Sequence, residues 1–379
     1  MQTLSSLIRL KFIFSRVWLI LFGSLIGLGA IEIGLSIFPI PNRFVLTQQL
    51  ENLWESDDEL LLHLKPNLNL AITGHPEFRF VVKTNEDGLR DEPFTSDQTI
   101  AAIGDSFTFG FGVEVHEAWP AQIEALSGQP VANLGWAGWS SYTYPAAIRR
   151  HAIPTHASLW LWAFFANDLP ESTSAEAFIT SGQTDFKTWS QKNNTSSNLS
   201  RFPFNLRTVQ LLTALFHPDL FLLPNSGNEI FDDGTLRFRY SLYPWQMTDP
   251  SNPQVRRGWE LTEEALLNAH QLAVENQAQL VVIFIPSREY VYWPYLQNVM
   301  AGVDIQQLDD VQVRLAQICQ ENDIAYFNLL PGMREIALTG QMLYFPNDGH
   351  WNADGHALAA YLVYASLQAH QLVSERTGK

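Results

Sequence analysis

A single cysteine, Cys319, stands in 379 residues, which excludes an intramolecular disulfide and any thiolate metal cluster. It sits in "VRLAQICQEN", where apolar residues at helical spacing make it a buried structural thiol. Basic residues are also scarce: 23 Lys and Arg against 39 Asp and Glu leave a formal net charge of −16. That balance repels a phosphate backbone and no basic stripe offsets it, so no nucleic-acid partner is expected. Charged residues of both signs make up only 16% of the chain, against 46% apolar residues that include 12 Trp and 24 Phe. Such a composition argues against disorder, and the length suits one large domain with additions or two smaller ones. No internal repeat is visible.

Long apolar runs are rare too, with one exception. Residues 17 to 40, "VWLILFGSLIGLGAIEIGLSIFPI", would form a helix of about 36 Å at 1.5 Å per residue, enough to cross a bilayer core. Arg9, Lys11 and Arg16 precede the run and only Arg43 closely follows it, so the positive-inside rule places residues 1 to 16 in the cytoplasm and the rest of the chain outside the plasma membrane. Glu32 interrupts the run near its far end, where a charge costs less than at the bilayer centre. A cleaved signal peptide shares the basic start and apolar core, but no small-x-small site follows, so an uncleaved anchor over 17–40 is expected.

Residues 41–96 read as a tether with one short helix and a short β segment, "FRFVVKTNEDGLRDEPF", that ends in turn chemistry. Over 97–379 the pattern changes. "QTIAAIG", "QPVANLG", "SLWLWAFF", "AQLVVIFIP" and "IAYFNLL" are five short runs, apolar on both faces, as strands of a parallel sheet covered on two sides must be. Helical periodicity fits residues 117–127, 258–276, 306–321 and 353–369 between and after them. This alternation predicts a doubly wound α/β domain. Residues 170–256 break the rhythm and read as an insertion. Its Ser/Thr/Asn-rich first part, "ESTSAEAFITSGQTDFKTWSQKNNTSSNLS", predicts a loop, and "NLRTVQLLTALF" and "GTLRFRYSLYPW" follow as a helix and an exposed strand.

The chemistry gathers at strand ends. In an open α/β sheet ligands bind beyond the carboxyl ends of the strands. The first strand there runs into "IGDSFTFG", where Ser106 on a sharp turn into a helix exposes its hydroxyl beside backbone N–H groups. A serine hydroxyl is a weak nucleophile, so it requires a base and a carboxylate that orients the base. "FPNDGHWNADGHALAA" offers both, twice over. Asn352 or Asp354 reads as the cap of the last helix, which makes His356 helical and leaves His350 as the loop base, with Asp348 rather than Asn347 as its carboxylate. "ANLGWAGWSSY" places Gly135 and Gly138 after the second strand, and "FFANDL" places Asn167 after the third, as donors for an oxyanion. Asp348, His350, Asp354 and His356 lack metal-ligand spacing, so no metal is expected.

"GDSFTFG", "NLGWAG", "FFAND" and "NDGHWN" resemble, in order, the four blocks of the SGNH (GDSL-like) hydrolase superfamily, and "TNEDGLRD" resembles its membrane-anchored bacterial members. The resemblance implies a flavodoxin-like three-layer α/β/α sandwich with no cofactor. It also implies Ser106 as nucleophile, His350 as base, and the Ser106 N–H, Gly138 and Asn167 as oxyanion donors. Two departures stand out. Phe165 occupies the place of a glycine in the third block, and the acid lies two residues rather than three before the histidine, a spacing similar to that of polysaccharide O-acetylation proteins. The implied activity is a serine-dependent acyl-ester hydrolase on an acylated glycan or related ester. The alternatives are an O-acyltransferase using the same residues and a non-catalytic glycan-binding scaffold among polysaccharide-assembly proteins. Tyr240, Tyr243 and Trp245 are candidates to stack on a sugar ring, with Arg237 and Arg239 near an anionic substituent, although one strand face would bury Leu236, Phe238 and Tyr240 as simple packing. Arg288, at the end of the fourth strand, either lines the cleft or forms a surface ion pair.

Overall fold

The computed structural model describes residues 2–37, 43–92, 94, 100–193, 206–216 and 229–373. The expected boundaries at 40/41 and 96/97, and residues 194–205 of the polar stretch, lie outside these. Eleven strands are described. Four precede the main domain: β1 (Trp54–Asp57), β2 (Leu61–Leu64), β3 (Asn69–Ile72) and β4 (Phe80–Lys83). They are followed by β5 (Ile100–Gly104), β6 (Val131–Gly135), β7 (Leu159–Phe164), β8 (Glu229–Asp232), β9 (Arg237–Tyr240), β10 (Gln279–Phe284) and β11 (Ala325–Asn328).

The five runs that alternate with helices form one sheet in the order β11-β10-β7-β5-β6, with every neighbouring pair parallel. Counted from its own first strand the order is 2-1-3-4-5, that of flavodoxin. Every residue of β5, β6 and β7 is buried, because helices cover both faces and leave no side of the pleat for water. Helices Trp119–Ser127 and Ala353–Ala369 pack together on one face, and Tyr144–Ala147, Pro253–Glu275 and Gln306–Glu321 cover the other, where Arg314 of the last lies over the Trp259 ring. The fold is thus a three-layer α/β/α sandwich. Strand order reverses between β5 and β7, and that switch point opens a crevice at their carboxyl ends.

Two expectations are corrected. The segment after residue 43, read as a tether with one short helix and a short β segment, holds more structure than that. It holds the helix Arg43–Glu51 and the antiparallel hairpins β1–β2 and β3–β4, and it buries Leu46, Leu53, Leu60, Leu62, Leu64 and Phe80 in the same core as the sheet. The Ser/Thr-rich stretch after β7 is not a loop in its described part, which forms helices Asp168–Thr180 and Phe186–Asn193. Tertiary packing overrides the weak propensity of Ser and Thr. Asp168, Leu169, Ser172, Ala175 and Phe178 are buried, and the crossing with Pro253–Glu275 is so close that a Cβ at Gly258 would sit 2.0 Å from the Leu169 carbonyl oxygen.

The N-terminal helix runs Gln2–Ile37, and its section Arg16–Leu35 is long and apolar enough to cross a membrane. Glu32, the one acid in that section, has a distant partner. Its Oε1 accepts from the Arg207 N–H at 2.5 Å, and its Oε2 accepts from the N–H and hydroxyl of Thr208 at 2.9 Å each. The carboxylate therefore caps helix Arg207–Phe216, satisfying N–H groups that a helix start leaves open.

Candidate active site

Ser106 is the first residue of a one-turn helix, Ser106–Phe109, that leaves the end of β5. Two glycines make this turn possible. A Cβ at Gly104 would meet Thr108 Oγ1 at 2.1 Å, and one at Gly135 would meet the Phe109 nitrogen at 2.3 Å, so the turn rests directly on the ends of β5 and β6. Asp105 caps it by accepting from the Phe107 N–H at 2.9 Å. Arg90, from "TNEDGLRD", fixes it from behind. Its guanidinium is buried and donates to the carbonyls of Val81, Phe109, Gly110 and Val113.

His350 arrives from the loop before the last helix. Its Nε2 lies 2.8 Å from Ser106 Oγ and its Nδ1 lies 2.5 Å from Asp348 Oδ1. The ring is wedged between Phe107 and Phe111, with centroids 5.2 and 4.7 Å away. Asp348 is wholly buried and also accepts from the His350 backbone N–H at 2.9 Å. Burial alone would depress the imidazole pKa and raise that of the carboxyl. Their mutual charge and hydrogen bonds reverse both, so His350 titrates above its ordinary value and Asp348 below. The loop is held in turn by Arg288, whose Nη1 donates to the carbonyls of Asp348 at 2.9 Å and Phe345 at 3.2 Å.

Gly138 and Asn167 face the same crevice. Gly138 has φ +110°, a backbone conformation that only glycine adopts without strain. Asn167 occupies the N-cap position of helix Asp168–Thr180, yet its side chain makes no capping bond, and its buried Oδ1 has no partner among the described residues. Behind it lie three carboxyl groups, Asp105, Asp168 and Glu171. Burial pushes Asp105 up to about 6 and Glu171 up to about 8, against the lowering effect of hydrogen bonds that include the Asn167 side chain, and it raises Asp168 well above its usual range. Tyr144 and Ser141 donate to Asp168 at 2.9 and 3.0 Å. Each of the three acids therefore holds its proton to higher pH than an exposed carboxyl does.

The crevice is a cavity of about 190 Å³. Phe107, Phe111, Phe165 and Met247 form apolar walls, and Ser106, His350, Asn167 and Glu171 supply polar groups. The insertion closes one side through Ser241, Tyr243 and Pro244. Phe165 packs against Phe107 in the pocket wall, with ring centroids 4.7 Å apart and planes tilted by 55°.

The remaining candidates separate. Tyr243 and Arg288 line the cavity, whereas Tyr240 and Trp245 do not. Trp245 is 7% exposed, donates its indole N–H to the Asp304 carbonyl at 2.7 Å and packs on Trp293, so its ring is not free to stack on a sugar. Tyr240 sits half-buried on β9, paired with Glu229 of β8 in a hairpin whose Leu236 and Phe238 pack inward. Arg237 faces solvent beside Asp232, and Arg239 donates to Asn347 Oδ1 at 3.1 Å. Arg288 is buried rather than on the surface: it is bound to loop carbonyls and pairs with the buried Glu289 at 3.3 Å. Sequence reasoning missed His75 and Glu77, which reach the base loop from the segment read as a tether. Glu77 accepts from the Asn347 backbone and side-chain amides at 2.8 Å each. Their only sequence signal is position, since neither falls in a block that carries chemistry.

No protein-family model matches the chain. No curated protein matches it either. Among solved structures, it is similar to a member of the lipolytic protein G-D-S-L family from Veillonella parvula, at 14% identity and a TM-score of 0.38, over 71% of this chain and 97% of that one. It is also similar to a GDSL-like lipase from Bacteroides thetaiotaomicron, at 11% identity and a TM-score of 0.36, over 74% of this chain and 92% of that one.

Proposed function

We propose that the protein is a serine-dependent acyl-ester hydrolase of the SGNH type, held by its N-terminal helix and acting outside the plasma membrane on an acylated glycan or a related ester. One observation carries this reading: an unbroken chain from Ser106 Oγ to His350 Nε2 at 2.8 Å, and from His350 Nδ1 to Asp348 at 2.5 Å, at the switch point of the sheet. In the first step Ser106 Oγ attacks the ester carbonyl carbon as Nε2 takes its proton. Asp348, ionised and fixed, stabilises the imidazolium. The oxyanion meets the N–H groups of Ser106 and Gly138 and the Asn167 side chain, each such donor being worth about 2.7 to 4 kcal/mol. His350 then returns the proton to the departing alkoxide as its bond to carbon breaks. Water, deprotonated by the same imidazole, attacks the acyl-serine carbonyl carbon, and the imidazolium returns that proton to Ser106 Oγ as the acyl C–Oγ bond breaks and the acid leaves.

The apolar walls and small volume suit a short acyl group, and the tyrosine, serine and carboxyl groups that also line the cavity suit a hydroxyl-rich leaving group. The test uses the full chain in detergent. It should release acetate from acetylated oligosaccharides and from aryl acetates, and Ser106 should be labelled by a fluorophosphonate probe. Acetyl appearing on an added acceptor sugar instead of as free acetate would identify the transferase. Absence of both labelling and turnover above the Ser106→Ala background would leave a non-catalytic scaffold.

A further inference from the structure

The two oxygens of Asp348 are treated differently. Oδ1 takes both bonds from His350, while Oδ2 is buried and accepts from nothing among the described residues. A buried carboxylate oxygen left in that state is costly. Across from it, at 3.9 Å, lies Nε2 of His75. This ring belongs to the segment before β4 and is 4% exposed. It stacks face to face on Phe78, with centroids 3.8 Å apart and planes 4° from parallel. Its tautomer follows from its other nitrogen. Nδ1 accepts from the Glu77 N–H at 3.2 Å, so the proton of the neutral ring sits on Nε2, the atom that faces Asp348. Glu77 then binds both amides of Asn347, the neighbour of Asp348 in the chain. One short stretch therefore grips the base loop at two adjacent residues.

We propose that His75 is a positioning residue: its Nε2–H serves the orphan oxygen of Asp348 and keeps the carboxylate aligned with His350 through turnover. This rests on the triad reading above. An approach of about 1 Å turns the 3.9 Å separation into a hydrogen bond of ordinary length. The ring acts as a neutral donor, because burial pulls its pKa down to about 4, more than the Asp348 charge raises it. It thus orients Asp348 without competing with His350 for the ion pair. Without this donor the carboxylate becomes more basic, and the His350–Asp348 pair holds its proton to higher pH. The other charged or titratable groups facing the pair are Asp105, Arg288, Glu77 and His356.

The experiment compares the full chain with His75→Phe and His75→Gln. His75→Phe keeps a ring against Phe78 and removes the Nε2 donor together with the Nδ1 acceptor of the Glu77 N–H. It should lower kcat roughly tenfold with KM unchanged, a smaller loss than that of the general base itself. It should also move the acid limb of kcat/KM upward by about half a pH unit. His75→Gln, whose amide can donate to Oδ2, should recover most of both. Equal losses in the two variants with no change in the acid limb would overturn the proposal, as would full activity in both. Selective ¹⁵N-histidine spectra of the wild-type chain give an answer that does not depend on variant folding: protonated Nε2 and bare Nδ1 are expected for His75, and a proton on Nδ1 would overturn the proposal. Turnover surviving in Ser106→Ala would instead sink the triad reading and leave the His75 geometry standing.

Discussion

The same three residues, Asp-Gly-His, occur twice within nine positions, and the fold gives them opposite fates. The first set, Asp348 to His350, lies in the loop. Its histidine has a partner at each ring nitrogen and keeps its side chain 13% exposed to the crevice. The second set, Asp354 to His356, opens the last helix, where Asn352 caps the first turn by accepting from the Gly355 N–H at 2.9 Å. Gly355 is squeezed against the Leu343 carbonyl, where a Cβ would come within 2.0 Å, and His356 is 1% exposed with both ring nitrogens unpartnered among the described residues. Burial drives its pKa down to about 3. A motif of three letters thus carries no chemistry of its own. Its place relative to a helix cap decides whether the imidazole meets a nucleophile or a wall of Trp351.

The sharpest way to break this contrast is to delete each histidine in turn. His350→Ala, like Ser106→Ala, should lower kcat/KM by about 10⁴-fold or more and abolish fluorophosphonate labelling. His356→Leu should label normally and stay within about twofold of wild type, and a loss as large as that of His350→Ala would erase the distinction. Asp348→Asn should come next, at about 10³- to 10⁴-fold in kcat, because the amide favours the wrong tautomer of His350. Arg288→Gln should cost less. It frees the loop carbonyls without touching the reacting atoms, and a drop in kcat of about tenfold with an unchanged labelling site is expected from steady-state rates.

The pH dependence separates the two rings further. His350 must be neutral to act, and its pKa is raised, so kcat/KM should climb with pH through a limb above 6.5. His356 behaves in the opposite sense, and through stability. Its folded pKa lies below its unfolded value, so the stability it permits is present above pH 6.5 and is lost as pH falls toward 3. His75 shares this direction. The smallest expected effect is therefore a shallower acid unfolding curve in His356→Leu between pH 6.5 and 3, followed by thermal melts at stepped pH. An unchanged curve would show that this ring does not govern acid lability.

Much of this was legible beforehand, for local reasons. The strands β5, β6, β7, β10 and β11 are continuous apolar runs between turn residues, and the distinction between His350 and His356 followed from cap chemistry at Asn352. What escaped notice depends on distance. The strands β1 to β3 are four residues each, too short for periodicity to show, and the burial of this segment comes from Leu46, Leu53 and Leu60 meeting the sheet. Helix Asp168–Thr180 is stabilised by Gly258, some ninety positions away, and not by its own Ser and Thr. His75 and Glu77 reach the loop across about 270 positions, a relation that no motif records. Trp245 was misjudged for the reverse reason, since an aromatic residue beside a loop serves a binding face or a core equally well until its neighbours are known.

The carboxylate of Glu32 leaves one practical consequence. An expression variant that begins after Ile37 removes the carboxylate that accepts from the Arg207 and Thr208 N–H groups and from the Thr208 hydroxyl at the start of helix Arg207–Phe216. N-terminal helix and insertion are mortise and tenon, and trimming one for solubility loosens the joint of the other.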